Sequence, residues 1–252
     1  MPSRSTSETG HGVNRANFDG LYELTGVIGT AYKPANAAFK RSSLKAKATE
    51  CGIAFEEAES ARRAFNNAVN ERADCFKGCS LLSTRMMKSL RSSGASARAV
   101  ADAETINKKV QGERATPPPK AVDGAEAARA RSVSQRSFDM THANFNKLIE
   151  QLAATPAYNP SEEELSVAEL KARAARMKEL NTAVVPLEAA LTEALLRRDI
   201  AFYAPTTGLV DTALAVKEYI GSLDRSKVPV ATEARKFRFR NIRERLEQAG
   251  LA

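Results

Sequence analysis

Leu170-Lys171-Ala172-Arg173-Ala174-Ala175-Arg176-Met177-Lys178-Glu179-Leu180-Asn181-Thr182-Ala183-Val184 is the stretch whose reading decides the fold class. Leu170, Met177 and Val184 recur every seven residues, Leu191 continues the series, and Leu180, Leu187 and Ala194 occupy the intermediate position. Apolar residues at this spacing fall on one side of a helix, where they form the seam of a coiled coil or helical bundle. A strand would show an alternating pattern instead. Pro186 lies inside the run, lacks an amide donor, and should kink the helix.

The same pattern occurs 126 residues earlier. Leu44-Lys45-Ala46-Lys47-Ala48 matches Leu170-Lys171-Ala172-Arg173-Ala174 (170 − 44 = 126). Cys51, Ala58 and Phe65 then fall on Met177, Val184 and Leu191, with Ala54, Ala61 and Ala68 between them. Upstream, Ala31-Tyr32-Lys33-Pro34 matches Ala157-Tyr158-Asn159-Pro160 at the same offset, and Ala16-Asn17-Phe18 matches Ala143-Asn144-Phe145 at 143 − 16 = 127. Downstream, Arg72 and Phe76 fall on Arg198 and Phe202. Matched blocks in one order, with a single one-residue gap, argue for duplication.

The expected fold is therefore all-α: a duplicated, pseudo-twofold helical bundle with two long coiled-coil-like helices and four shorter ones. The long helices should run antiparallel in one body and bury their seams against each other. First helices are expected over residues 15–30 and 141–154, and third helices over 81–92 and 209–222, after breaks at Gly78 and Gly208. Each Tyr-x-Pro turn should open a long helix, since proline suits the first helical position. In the second copy Asn159 and Glu162 could form its capping box, with Glu163 and Glu164 in its first turn. The spans are a flexible N-terminus (1–13), a first repeat (14–95), a short helix near 101–110 with a proline-rich linker (96–137), a second repeat (138–223) and a basic C-terminal tail (224–252). Thr116-Pro117-Pro118-Pro119 should form a stiff, exposed linker.

The repeated blocks, with Ser7-Glu8-Thr9-Gly10-His11 and Gly208-Leu209-Val210-Asp211-Thr212-Ala213-Leu214, resemble an uncharacterised family of duplicated all-helical proteins of about this length found in Bacteroidota. That family has no assigned activity, so the resemblance implies duplication and no catalytic or binding residues. The chain departs from it in the linker over 120–131 and in an Arg-rich final helix.

Composition sets the remaining bounds. Hydrophobic residues make up 43% of the 252, aromatics only 6%, and Trp is absent, so the core must rest mainly on Ala, Leu, Val and Met. No apolar run reaches membrane-spanning length and the N-terminus does not read as a signal peptide, which favours a cytoplasmic protein without a membrane partner. Three cysteines, an odd number, fit no secreted disulfide scaffold. The formal charge of +8 gives a weak bias toward anionic partners.

Chemistry-bearing motifs are sparse. His11 lies in a polar N-terminal stretch and His142 at a helix start, neither at metal-ligand spacing to a Cys or carboxylate. Cys75 and Cys79 would share a helix face if the helix ran on, but no further ligands accompany them, and Cys51 reads as core. There is no phosphate loop, nucleophile elbow or His-Glu-x-x-His. The expectation is no catalytic residue, cofactor, metal or small-molecule substrate, hence a non-enzyme. One segment stands out: Arg235, Lys236, Phe237, Arg238, Phe239 and Arg240, with Ile242 and Arg243 following. Interleaved Arg and Phe could neutralise phosphates and stack on bases. Equally, Phe237, Phe239 and Ile242 could dock the tail while the arginines stay in water. Lys108, Lys109, Arg114, Lys120, Arg129, Arg131 and Arg136 form a second basic cluster around the proline linker. The expected function is a structural or interaction protein, a scaffold that self-associates or binds a protein partner. The alternative is a nucleic-acid-associated protein using the tail.

Overall fold

A computed structural model describes residues 7–113, 137–223, 228–242, 246–247 and 250. The Thr116–Pro119 linker, Arg243 and the basic residues at 114, 120, 129, 131 and 136 lie outside them. Every regular element among the described residues is helical: α1 (Ser7–Ile28), α2 (Arg41–Phe76), α3 (Cys79–Ser92), α4 (Ala97–Val110), α5 (Phe138–Ala153), α6 (Val167–Tyr203), α7 (Leu209–Gly221) and α8 (Val228–Lys236), with short 3-10 turns. The protein is all-α. Besides the two long helices and four shorter ones, α4 covers the short helix expected near 101–110, and α8 is a helix of its own.

The chain divides into two compact units: residues 1–65 with 187–252 form unit 1, and residues 66–186 form unit 2. These boundaries cut across the expected repeats, and the reason is length. A 36-residue helix such as α2 spans about 54 Å at 1.5 Å per residue. That exceeds the width of a unit of this size, so α2 and α6 each begin in one unit and end in the other.

In unit 1 the core joins Phe18, Leu21 and Ile28 of α1 to Leu44, Cys51 and Ala54 of α2, Ala201, Phe202 and Tyr203 of α6, and Leu209, Val210, Ala213, Val216 and Ile220 of α7. In unit 2, Met86, Met87 and Leu90 of α3, Ala103 and Val110 of α4, and Phe145, Leu148, Ile149 and Leu152 of α5 pack on Leu170, Ala174 and Met177 of α6. The seam residues Leu44, Cys51, Ala54 and Ala58 are buried in α2, as are Leu170, Met177, Leu180 and Val184 in α6. Leu44, Cys51 and Ala54 join the unit 1 core, which also holds Ala201, Phe202 and Tyr203 of α6, and Leu170 and Met177 join the unit 2 core. Leu180 is only 4% exposed, whereas Leu187 is half-buried. Leu180→Asp should therefore cost about 2–4 kcal/mol, because the new carboxyl must be buried or neutralised. Leu187→Asp should cost about 1 kcal/mol. Equal losses of thermal stability would show that the buried face has been misassigned.

Several local expectations are corrected. Each Tyr-x-Pro turn leads into a 3-10 turn, Ala37–Phe39 or Glu163–Leu165, and the long helix begins only afterwards. Tyr32 Oη donates to Phe39 O (2.7 Å) and Tyr158 Oη to Leu165 O (2.8 Å), each spanning seven residues and closing its turn. Asn159 does not cap α6. Ser166 does, accepting from Glu169 N–H at 3.3 Å in a Ser-x-x-Glu pattern. Glu164 pairs with Arg85 rather than with a helix terminus. Pro186 lies within α6, where its ring removes the amide bond to the carbonyl of residue 182. α1 begins at Ser7, so 7–13 is helical where a flexible segment was expected. Gly78, at φ +76°, separates α2 from α3, so Cys75 and Cys79 do not share a continuous helix.

Candidate functional site

The basic tail is docked in unit 1. Residues 237–242 carry no helix, and along them Phe237, Phe239 and Ile242 are half-buried while Arg238, Arg240 and Asn241 face solvent. Extended backbone sends successive side chains to opposite sides, so one face of the segment is apolar and the other basic. The apolar residues join the unit 1 core. Their seats on α1 are glycines. A Cβ on Gly20 would meet the Phe237 ring at 2.5 Å, and one on Gly10 would meet Ile242 Cδ1 at 2.8 Å. Both positions take the tail closely because they lack a side chain.

Polar side chains hold the tail by its backbone. Asn14 Nδ2 donates to Arg240 O (2.7 Å), and Arg240 N–H donates back to Asn14 Oδ1 (2.9 Å). This is the paired donor and acceptor that a neighbouring strand would offer. Asn17 Nδ2 donates to Arg238 O (2.7 Å), and Lys217 Nζ of α7 donates to Phe237 O (2.7 Å). The Lys217 ammonium also lies 5.8 Å from the Phe239 ring centroid, within cation–π reach. Of the residues expected to carry nucleic-acid binding, Phe237 and Phe239 thus pack on the core. Arg235, Arg238 and Arg240 are exposed without an ion pair among the described residues, and Lys236 pairs with Glu233 (2.6 Å).

Next to the clamp is a buried ion cluster. His11 Nε2 lies 3.1 Å from Asp199 Oδ1, and the adjacent Arg198 donates to the same oxygen through Nε (3.0 Å) and Nη2 (2.8 Å). His11, Arg198 and Asp199 are all under 5% exposed. The His11 ring meets Phe202 and Tyr203 edge-on at 5.3 and 5.2 Å. Asn14 Nδ2 reaches Tyr203 Oη at 3.4 Å, linking cluster and clamp. The sequence reading missed this site because it ended the α1 stripe too early. His11, Asn14, Phe18, Leu21, Thr25 and Ile28 are spaced 3, 4, 3, 4 and 3 apart, and all six are buried. Two polar residues continue an apolar stripe, and a search restricted to apolar residues passes over them.

The matching positions of unit 2 are built differently. Arg72, Phe76 and Phe138 correspond to Arg198, Phe202 and His11 (198 − 72 = 126, 202 − 76 = 126, 138 − 11 = 127), and Ala73 to Asp199. There the Arg72 guanidinium lies 4.3 Å over the Phe138 ring, and Phe138 meets Phe76 at 4.8 Å. Where unit 2 has a ring and a methyl group, unit 1 has an imidazole and a carboxylate.

The remaining features are less specialised. A polar groove of about 620 Å³ in unit 2 is lined by Arg85, Lys88, Ser89, Asn159 and Glu162, among others. Among the described residues no three His, Cys, Asp or Glu converge as a metal site, and no helix is long and apolar enough to cross a membrane. All three thiols are free. Burial pushes Cys51 up to about 12 and Cys79 up to about 11, and it raises Tyr32, Tyr158 and Tyr203 to about 12. A raised folded value stabilises the native state below the unfolded value, 9.0 for Cys and 10.0 for Tyr, and that contribution is lost as pH rises through the folded value. Stability should therefore fall steadily above pH 9 and be lost by about pH 12. Tyrosinate absorbance should appear together with the loss of helicity, not before it. Half-buried Cys75 should react first with a thiol reagent in native protein.

The chain matches no family model, no curated protein and no solved structure.

Proposed function

We propose that the protein is a non-enzymatic helical scaffold, descended from a duplication, that self-associates through unit 1. One observation carries this reading: an open groove of about 490 Å³ in unit 1, floored by Ile53, Ala54, Ile200 and Ala201. Ile53 is 56% and Ile200 41% exposed, and two large aliphatic side chains in one open groove form an apolar patch that a partner would cover. The rim carries Glu50 and Glu57 on the α2 side and Arg197 on the α6 side. Opposite charges across one groove favour a second copy, since a twofold contact sets Glu57 of each against Arg197 of the other. Contacts below about 1,200 Å² are transient, so this groove alone supports a weak dimer. The duplication is supported by the matched Tyr hydrogen bonds, and a cytoplasmic site by the free thiols. Light scattering of wild type against Ile53→Asp/Ile200→Asp tests the proposal. Concentration-dependent association should be lost in the variant while helicity is kept, and should weaken modestly with salt as the rim charges are screened. Unchanged association would exclude the groove as the contact.

A second reading is favoured by the exposed Arg235 at the end of α8 and Arg238 and Arg240 on the docked segment after it: binding of a nucleic-acid backbone. Fluorescence anisotropy with single- and double-stranded DNA and RNA tests it, because each phosphate contact makes affinity fall with salt. Arg238→Glu/Arg240→Glu should abolish such binding without unfolding the chain. Binding that is absent, or indifferent to these charges, would sink this reading.

A further inference from the structure

We propose that the face formed by α1 and Lys217 of α7 is a receptor for an extended segment, held in cis by the chain's own tail and open to the tail of a second copy. This rests on the self-association reading and names a segment that would carry it. The contacts support a receptor more than a fixed core element. The hydrogen bonds from Asn14, Asn17 and Lys217 to the tail all go to main-chain atoms of Phe237, Arg238 and Arg240, the groups any extended segment presents, and the Phe239 ring beside Lys217 adds a side-chain contact. Selectivity comes from two seats, Gly20 for an aromatic ring and Gly10 for an aliphatic chain five residues on. This is the division of labour of strand-addition sites, where backbone bonds give affinity and pockets give specificity. The segment over 237–242 interrupts no helix, and beyond it Leu246 is fully buried in the same core, so exchange must carry that anchor along with the segment. A second copy carries the same segment, which makes it the partner of matching chemistry. Reciprocal exchange closes a twofold dimer, and one-way exchange would chain copies together.

In cis the tail competes at an effective concentration of about millimolar, so trans occupancy emerges when the cis contact is weakened. Complementation between two full-length chains tests this. Asn14→Ala/Asn17→Ala disarms the face and keeps the tail, while Phe237→Asp/Ile242→Asp disarms the tail and keeps the face. Both chains also carry Ile53→Asp/Ile200→Asp, so that failure of the groove reading does not affect the result. Sedimentation should show the mixture forming a one-to-one complex at least about 10-fold more tightly than either chain associates with itself. The complex should vanish when both defects sit in one partner. Folded chains that stay separate at high concentration would overturn the proposal. If the tail-disarmed chain loses helicity, two differently tagged copies that keep the wild-type α1 and tail are refolded together from denaturant at high concentration. Co-purification of the tags supports exchange, and its absence overturns it.

Discussion

Replacing Asp199 with alanine is expected to destabilise unit 1 by about 3–5 kcal/mol, because removing one partner of a buried ion pair leaves the other charge uncompensated. The charge left behind is Arg198, 2% exposed, with its Nη1 already lacking a hydrogen bond. Chemical denaturation of Asp199→Ala measures this loss. Unit 2 supplies the rescue. Its Arg72 lies over Phe138, with Ala73 at the position of Asp199, so the apolar arrangement is compatible with this helical frame. His11→Phe/Asp199→Ala should recover much of the loss, and the deviation from additivity gives the coupling between the two positions. A double variant as unstable as Asp199→Ala would mean the cluster is required by surroundings that unit 2 does not share. A double variant at least as stable as wild type would mean unit 1 keeps its charges for a purpose other than stability.

Phe145→Ala should have a comparable effect in unit 2, about 3–5 kcal/mol, through a lost ring and the cavity left behind. Phe145 is fully buried and packs with Leu148, Ile149 and Leu152 of its own helix against the α3, α4 and α6 residues of that core. Differential scanning calorimetry should show the fall in the transition that contains unit 2. A drop below about 1 kcal/mol would indicate a core that refills the space.

The long helices were legible in the sequence because their signal is periodic and local. Leu170, Met177 and Val184 mark a buried face whatever they pack on. Which elements share each core was less legible, because a seven-residue repeat is consistent with a second long helix, with several short ones, or with both, as in the unit 1 core. The cap of α6 was within reach: Ser166-Val167-Ala168-Glu169 has the same pattern sought at Asn159, and the proline four residues before Glu164 drew the start of the helix too far upstream. At the tail, alternation of Phe and Arg showed that two faces exist but not which one meets protein. That depended on Gly10 and Gly20, two hundred residues away, whose missing side chains leave no mark in local sequence. The cluster was hidden for a related reason, since His11 and Asp199 are 188 positions apart and each is an ordinary polar residue until the helices meet.

The division of the chain also has a consequence for synthesis. Residues 66–186 are one uninterrupted piece, whereas the first 65 residues need those from 187 onward as partners. The nascent chain must therefore extend by another 193 residues (221 − 28) between completion of α1 and completion of α7. At roughly 5–20 residues per second that interval lasts about 10–39 s. For that time the apolar stripe of Phe18, Leu21 and Ile28 has no α7 to cover it, while the piece made in between has everything it needs to fold. Chaperone engagement on stalled ribosomes should peak before residue 187 is made and fall once α7 has emerged.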